Sequence, residues 1–162
     1  MQRVAATADT ADMLDRVAAR WQKLFDANAA AFAELVDGAR VGFVARADFA
    51  ATNGRRLQGL AQAGSASIGA PMLAFESRRG RMTVERAHFD GFEHARVDLL
   101  FVAADEAIDE LIEGADPLGA IKRALRRGSV MFYALKPKHE LQDAGYEDFL
   151  DTLGLAFLGA CR

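Results

Sequence analysis

The chain has one cysteine among 162 residues, Cys161, next to the last position. An internal disulfide is excluded, and so is a metal site built from several thiolates. A chain so poor in cysteine suits a reducing compartment. Long apolar runs are also missing. None approaches the roughly 18–20 residues of a membrane span, and the segment Met1 to Asp9 lacks the apolar core of a secretory signal. A cytoplasmic protein without an integral membrane segment is expected. Positive charge is in deficit, with a net charge of −3. That argues against a nucleic-acid partner, because displacing counterions from phosphates needs a net basic surface. No Gly-x-Gly-x-x-Gly or phosphate-loop pattern occurs, so no nucleotide cofactor is expected. Ser65, Ser67 and Ser129 do not stand in a Gly-x-Ser-x-Gly elbow, which disfavours a nucleophilic hydrolase.

What remains is an ordinary globular mixture, 51% apolar and 27% charged. The length suits one domain over residues 1–162. Leu14, Val17, Ala18, Trp21, Leu24, Phe25, Phe32, Leu35 and Val36 recur at helical spacing and predict a long helix over 11–37. Thr10 is its expected N-cap, Asp26 to Ala30 a possible break, and Gly38 its stop. Alternation from Arg40 to Asp48 predicts a strand. Phe49 to Gly69, with Asn53-Gly54 and the small-residue run Ala63 to Ser67, reads as a loop holding a short helical piece. Met72 to Ser77 and Arg81 to His88 read as a hairpin. The apolar strand Arg96 to Ala103 follows, then a helix over Ala104 to Glu113. Asp116-Pro117 opens another helix that Gly128 ends. Ser129 to Leu135 is a further strand, and a helix over 145–160 with Gly154 inside it closes the chain. This order predicts an α+β domain with a mostly antiparallel sheet of about five strands, covered by helices on one face.

Residues 95–135 resemble the later half of the sterol carrier protein 2 family. Ala95, Val97, Asp98 and Leu99 match its strand, and Asp105, Glu106, Leu111 and Gly114 the helix after it. Asp116 and Pro117 match the next helix start, and Gly128 leads the last strand. The helix from Pro117 to Arg127 is longer than the family pattern. Met131, Phe132 and Tyr133 stand where a second glycine is expected, and Phe49 to Gly69 looks like an insertion. The resemblance implies non-catalytic binding or carriage of a lipid, fatty-acyl or sterol-like ligand in an apolar pocket between sheet and helices.

Eleven Phe against two Tyr and one Trp leave most aromatic surface without a polar handle. Strand alternation then selects Phe43, Leu73, Phe75, Leu99, Phe101 and Phe132 as pocket-lining residues. Phe149, Leu153 and Phe157 join them from the last helix. Two other functions remain open. A homodimeric interaction module would use the long N-terminal helix. A small enzyme would use His88 or His94, which flank Asp90 and Glu93. Neither pair has a recognised metal-ligand spacing, so no metal is expected.

Overall fold

A computed structural model describes residues 2–59 and 69–155. Helix α1 (Gln2–Ala27) and the short α2 (Ala29–Phe32) precede β1 (Arg40–Ala45) and α3 (Arg46–Gly59). The hairpin β2 (Ala70–Arg78) and β3 (Arg81–Phe89) leads through a 3-10 turn at Phe92–His94 to β4 (Leu99–Ala103). Then come α4 (Asp105–Glu113), α5 (Pro117–Arg127), β5 (Val130–Ala134), α6 (Lys138–Asp143) and α7 (Tyr146–Thr152).

The five strands make one open sheet in the order β3-β2-β1-β4-β5. Three of its four pairings are antiparallel, and β1 with β4 is parallel. The α+β class and the mostly antiparallel sheet are thus as the sequence predicts. The parallel centre follows from chain order. The β2–β3 hairpin packs on one side of β1, which leaves the other side to a strand arriving much later.

One face of the sheet carries the larger core. Val17, Trp21, Leu24 and Phe25 of α1 lie on Phe43, Phe75 and Phe101, and α4, α5 and α7 add Ile108, Ile121 and Phe149. Trp21 is fully buried, with ring centroids at 5.5 Å from Phe43 and 4.6 Å from Phe75. Arg20 fastens α1 to the C-terminal end of α4. Its Nε donates to Ile112 O at 2.8 Å and its Nη2 to Gly114 O, a cation placed at the negative end of a helix dipole.

Several expected boundaries shift. Helix α1 begins at Gln2, so Thr10 is interior and not a cap. Gln2, Arg3, Ala5, Ala6 and Ala8 upstream are strong helix formers, and their propensity outweighs the cap signal. The break falls at Asn28, whose side chain folds back to donate to Leu24 O at 2.8 Å. Gly38 lies beyond the helices and donates to Ser77 O at 2.9 Å, tying the loop to β2. The strand expected to reach Asp48 ends at Ala45, and Arg46–Gly59 is helical through Asn53-Gly54. The helices are not confined to one face, because α3 covers the other. The run Ala63 to Ser67, and Phe157 with the rest of the last expected helix, lie outside the described residues.

The helix expected over 145–160 begins where expected but ends at Thr152 as α7, and it is preceded by α6, which the sequence did not predict. Gly145 between them has φ +85° and lies against the Glu34 carbonyl, where a Cβ would collide with backbone. Gly154 is not in a helix interior. It has φ +76° and ends α7, with Gly154 N–H donating to Asp151 O and Leu155 N–H to Leu150 O, both at 2.9 Å. That is a Schellman cap. The two glycines separate strain from crowding. Gly154→Ala, which meets only ordinary contact at Lys122, should lose about 1 kcal/mol for the left-handed backbone alone. Gly145→Ala should lose about 3–4 kcal/mol, because overpacking against backbone adds to that strain. Urea unfolding of both variants checks the difference, and equal losses would show that the Glu34 contact is slack.

Candidate functional site

Seven of the nine expected pocket residues are drawn together on the α1 face. Phe43, Leu73, Phe75, Leu99, Phe101, Phe149 and Leu153 are all buried. Phe132 is half-buried, with its ring 6.2 Å from Phe101. Phe157 is the residue outside the described ones. The side chains of this group meet one another. Trp21 stands in the middle of them, touching the Phe25, Phe43, Phe75 and Phe101 rings at centroid distances of 4.6–6.2 Å where paired with Phe75 and Phe101. A ligand entering here would have to displace that indole.

The other face of the sheet offers a different arrangement. Its floor is Val44, Met72, Leu100 and Val102. Gly42 lies in the middle of the floor. A Cβ there would come within 2.8 Å of Leu100 Cδ1 and Met72 Sδ, so the missing side chain lets those two chains lie flat. Above the floor stand four aromatic rings from four separate elements. Phe49 comes from α3, Phe89 from the end of β3, Phe92 from the 3-10 turn and Tyr133 from β5. Phe49 is stacked between Phe89 and Tyr133, with both centroids at 5.6 Å and interplanar angles of 29° and 25°. Phe92 closes the group edge-on, 5.6 Å from Phe49 and 5.4 Å from Tyr133. Phe89 is fully buried, but Phe49, Phe92 and Tyr133 are only half-buried. No hydrogen bond to the Tyr133 hydroxyl is formed within the described residues, so an apolar patch carries one polar handle at its edge.

Sequence reasoning placed Tyr133 on a strand and read Phe49 as loop, and it put none of these four on the pocket list. One signal was available, the pair Phe89 and Phe92 on either side of the Asp90-Gly91 turn. A turn of that length returns both rings to one side. Phe49 had no such signal, because the helix that aims it was itself read as a loop.

A polar group sits at the far end of β4. The Tyr146 hydroxyl donates to Asp98 Oδ2 at 2.7 Å, with Arg40 O at 3.2 Å, and Arg40 N–H donates to the same carboxylate oxygen at 3.1 Å. Asp98, Asp37, Lys136 and Glu140 border a surface cleft of about 270 Å³. Burial, then the adjacent Asp98 charge, pushes the Tyr146 phenol well above its ordinary value, so it remains a protonated donor. The carboxylate therefore ties α7 to the starts of β1 and β4.

His88 and His94 are both exposed, on the edge strand β3 and at the end of the 3-10 turn. Among the described residues, no three His, Cys, Asp or Glu converge as a metal site would require. No helix of the described residues is long and apolar enough to cross a membrane. Neither a family model nor a curated protein matches the chain.

The Tyr146–Asp98 bond yields a pH prediction. A phenol whose folded-state pKa is raised contributes its stabilisation in full below its unfolded value of 10.0 and loses it as pH rises above that. Tyr146→Phe should cost about 1–3 kcal/mol at pH 7. It should also flatten the fall of stability above about pH 10. Chemical denaturation at pH 7 and at pH 10.5 measures both effects. An unchanged alkaline slope in the variant would mean that other groups govern it.

Proposed function

We propose that this protein binds an apolar or amphipathic small molecule without transforming it, and that the binding surface is the aromatic group of Phe49, Phe89, Phe92 and Tyr133. The observation that carries this reading is the incomplete burial of three mutually packed aromatic rings over an apolar floor. Aromatic rings that serve only the core are generally shut away, as Trp21 and Phe75 are on the opposite face. Convergent apolar surface with one polar group at its margin is the usual make-up of a small-molecule site. The resemblance to sterol carrier protein 2 supports the same ligand class, a lipid, fatty-acyl or sterol-like molecule. It pointed to the space beneath α1, where Trp21 stands. The reading offered here moves the ligand to the other face of the sheet. Tyr133 would meet the polar end of such a ligand through its hydroxyl, and α3 would form the wall that gives way.

The alternative of a module docking through the N-terminal helix finds less support, because Leu14, Val17, Trp21, Leu24 and Phe25 already face the sheet. The enzyme alternative rests on His88 and His94 alone, and their exposure supplies no partner for acid-base work.

Titration with anilinonaphthalene sulfonate, displaced by palmitate, tests the proposal. Phe49→Ser should weaken palmitate binding by roughly tenfold or more, since a central aromatic anchor dominates such contacts. Trp21, the sole tryptophan, should keep its emission maximum on ligand addition, because it lies across the sheet. Equal binding by the variant, or a palmitate-dependent shift of Trp21 emission, would refute the location.

A further inference from the structure

The sheet has two edge strands, and the fold treats them differently. On β3, the ladder to β2 turns the backbone of Met82 and Val84 outward. The Gln22 side chain of α1 covers them, with its Nε2 donating to Met82 O at 2.9 Å and Val84 N–H donating to its Oε1 at 3.2 Å. One carboxamide thus stands in for a neighbouring strand. The same edge carries charged Arg81, Glu85 and Arg86, which discourages added strands.

The β5 edge has no such cover among the described residues. Ala104 N–H donates to Ser129 O and Leu135 N–H to Asp98 O, both at 2.8 Å. With the β4–β5 register, this turns the backbone of Met131 and Tyr133 toward β4 and that of Val130, Phe132 and Ala134 away from it; Val130 is buried, and the N–H and C=O groups of Phe132 and Ala134 form the open part of the edge. Among the described residues, nothing bonds to those groups. The strand reads Val-Met-Phe-Tyr-Ala, with no proline or charge. Met131 is 42% exposed, one of two large apolar side chains left so open among the described residues.

We propose that β5 is a docking edge for an extended peptide segment of another protein, apolar in its middle and acidic at one end. The outward backbone supplies the ladder for strand addition. Met131 and Tyr133 on one face and Phe132 on the other give the added strand apolar neighbours on both sides. Charge selects the occupant. Arg46 and Arg126 are exposed at the start of β5, Arg46 donating to Gly128 O at 2.9 Å, and no carboxylate of the described residues pairs with either. In an antiparallel addition, the C-terminal end of the guest lies beside them, so its acidic residues belong there. A second copy of this chain fits poorly. Antiparallel self-pairing about Phe132 would lay the start of one β5, with the cations Arg46 and Arg126, beside the end of the other, where Lys136 follows the strand, and the strand itself would bring no carboxylate to them.

The probe is a fluorescein-labelled synthetic nonapeptide of alternating threonine and valine that ends in two aspartates, read by anisotropy. It should bind the full chain, and the version ending in two lysines should bind roughly tenfold more weakly or worse. Ala134→Pro removes an outward N–H while sparing the bonds to β4, and should abolish binding. Should that variant fail to fold, N-methylation of the peptide keeps the question open to decision. Methyl groups on the amides facing β5 should abolish binding to the unaltered protein, and those on the alternate amides should not. Absence of binding, or indifference to peptide charge or to N-methylation, overturns the proposal. A concentration-dependent dimer in sedimentation that the aspartate peptide does not dissociate would assign the edge to a second copy and overturn it too.

Discussion

The parallel pair β1 and β4 lies at the centre of the sheet, and both strands are buried along nearly their whole length on both faces. Strands in that position need an apolar layer on each side, because every residue points its side chain to one face or the other. The rest of the architecture answers that demand. On one side α1 is long enough to cross several strands. On the other, α3 and the 3-10 turn provide a shorter cover. The irregular chain entering β4 brings its own problem, a carboxylate at the margin of a core. Tyr146 and the Arg40 backbone resolve it by hydrogen bonding to Asp98.

The two covers differ in completeness. Beneath α1, an indole and a set of Phe rings interlock at contact distance, and α4, α5 and α7 seal the periphery. Each such ring pair adds about 0.5–1.5 kcal/mol beyond simple burial, so this side resists the intrusion of a guest. The opposite side is thinner, and its aromatic rings are only partly closed off. Binding sites are drawn from the less stable parts of a fold, and this asymmetry is the physical basis for placing a ligand there.

A similar asymmetry governs the sheet margins. Gln22 and a row of charges close β3, whereas β5 presents backbone that no described residue bonds, beside an open methionine. Tyr133 belongs both to the aromatic group and to this open strand. A strand added along β5 would therefore pass close to the ring that borders the proposed ligand surface, and the two binding events would share a wall.

The apolar periodicity of Leu14 to Phe25, the hairpin around Gly80 and the cap at Asp116-Pro117 were legible in the sequence because each depends on contacts within a few residues. The Asp116 side chain accepting from Gly119 N–H and Pro117 at the first helical position are local matters. So was the α+β class, which follows from the order of such elements. Helix α3 was not legible. Its Asn-Gly pair signals a turn by local preference, and burial of Phe49 between Phe89 and Tyr133 joins segments about 40 and 80 residues away in sequence. The separation of α6 from α7 likewise depends on Gly145 meeting the Glu34 carbonyl, a contact with a distant loop. Alternation marked which strand residues share a face, and so chose Phe43, Phe75 and Phe101 correctly as neighbours. It could not tell that Trp21 fills the space among them, nor which of two buried faces is the looser. By itself the sequence determined the five strands, most of the helices and their apolar sides. Tertiary structure alone decided which surfaces close, because closure depends on the fit of side chains from segments whose separation along the chain carries no periodic signal.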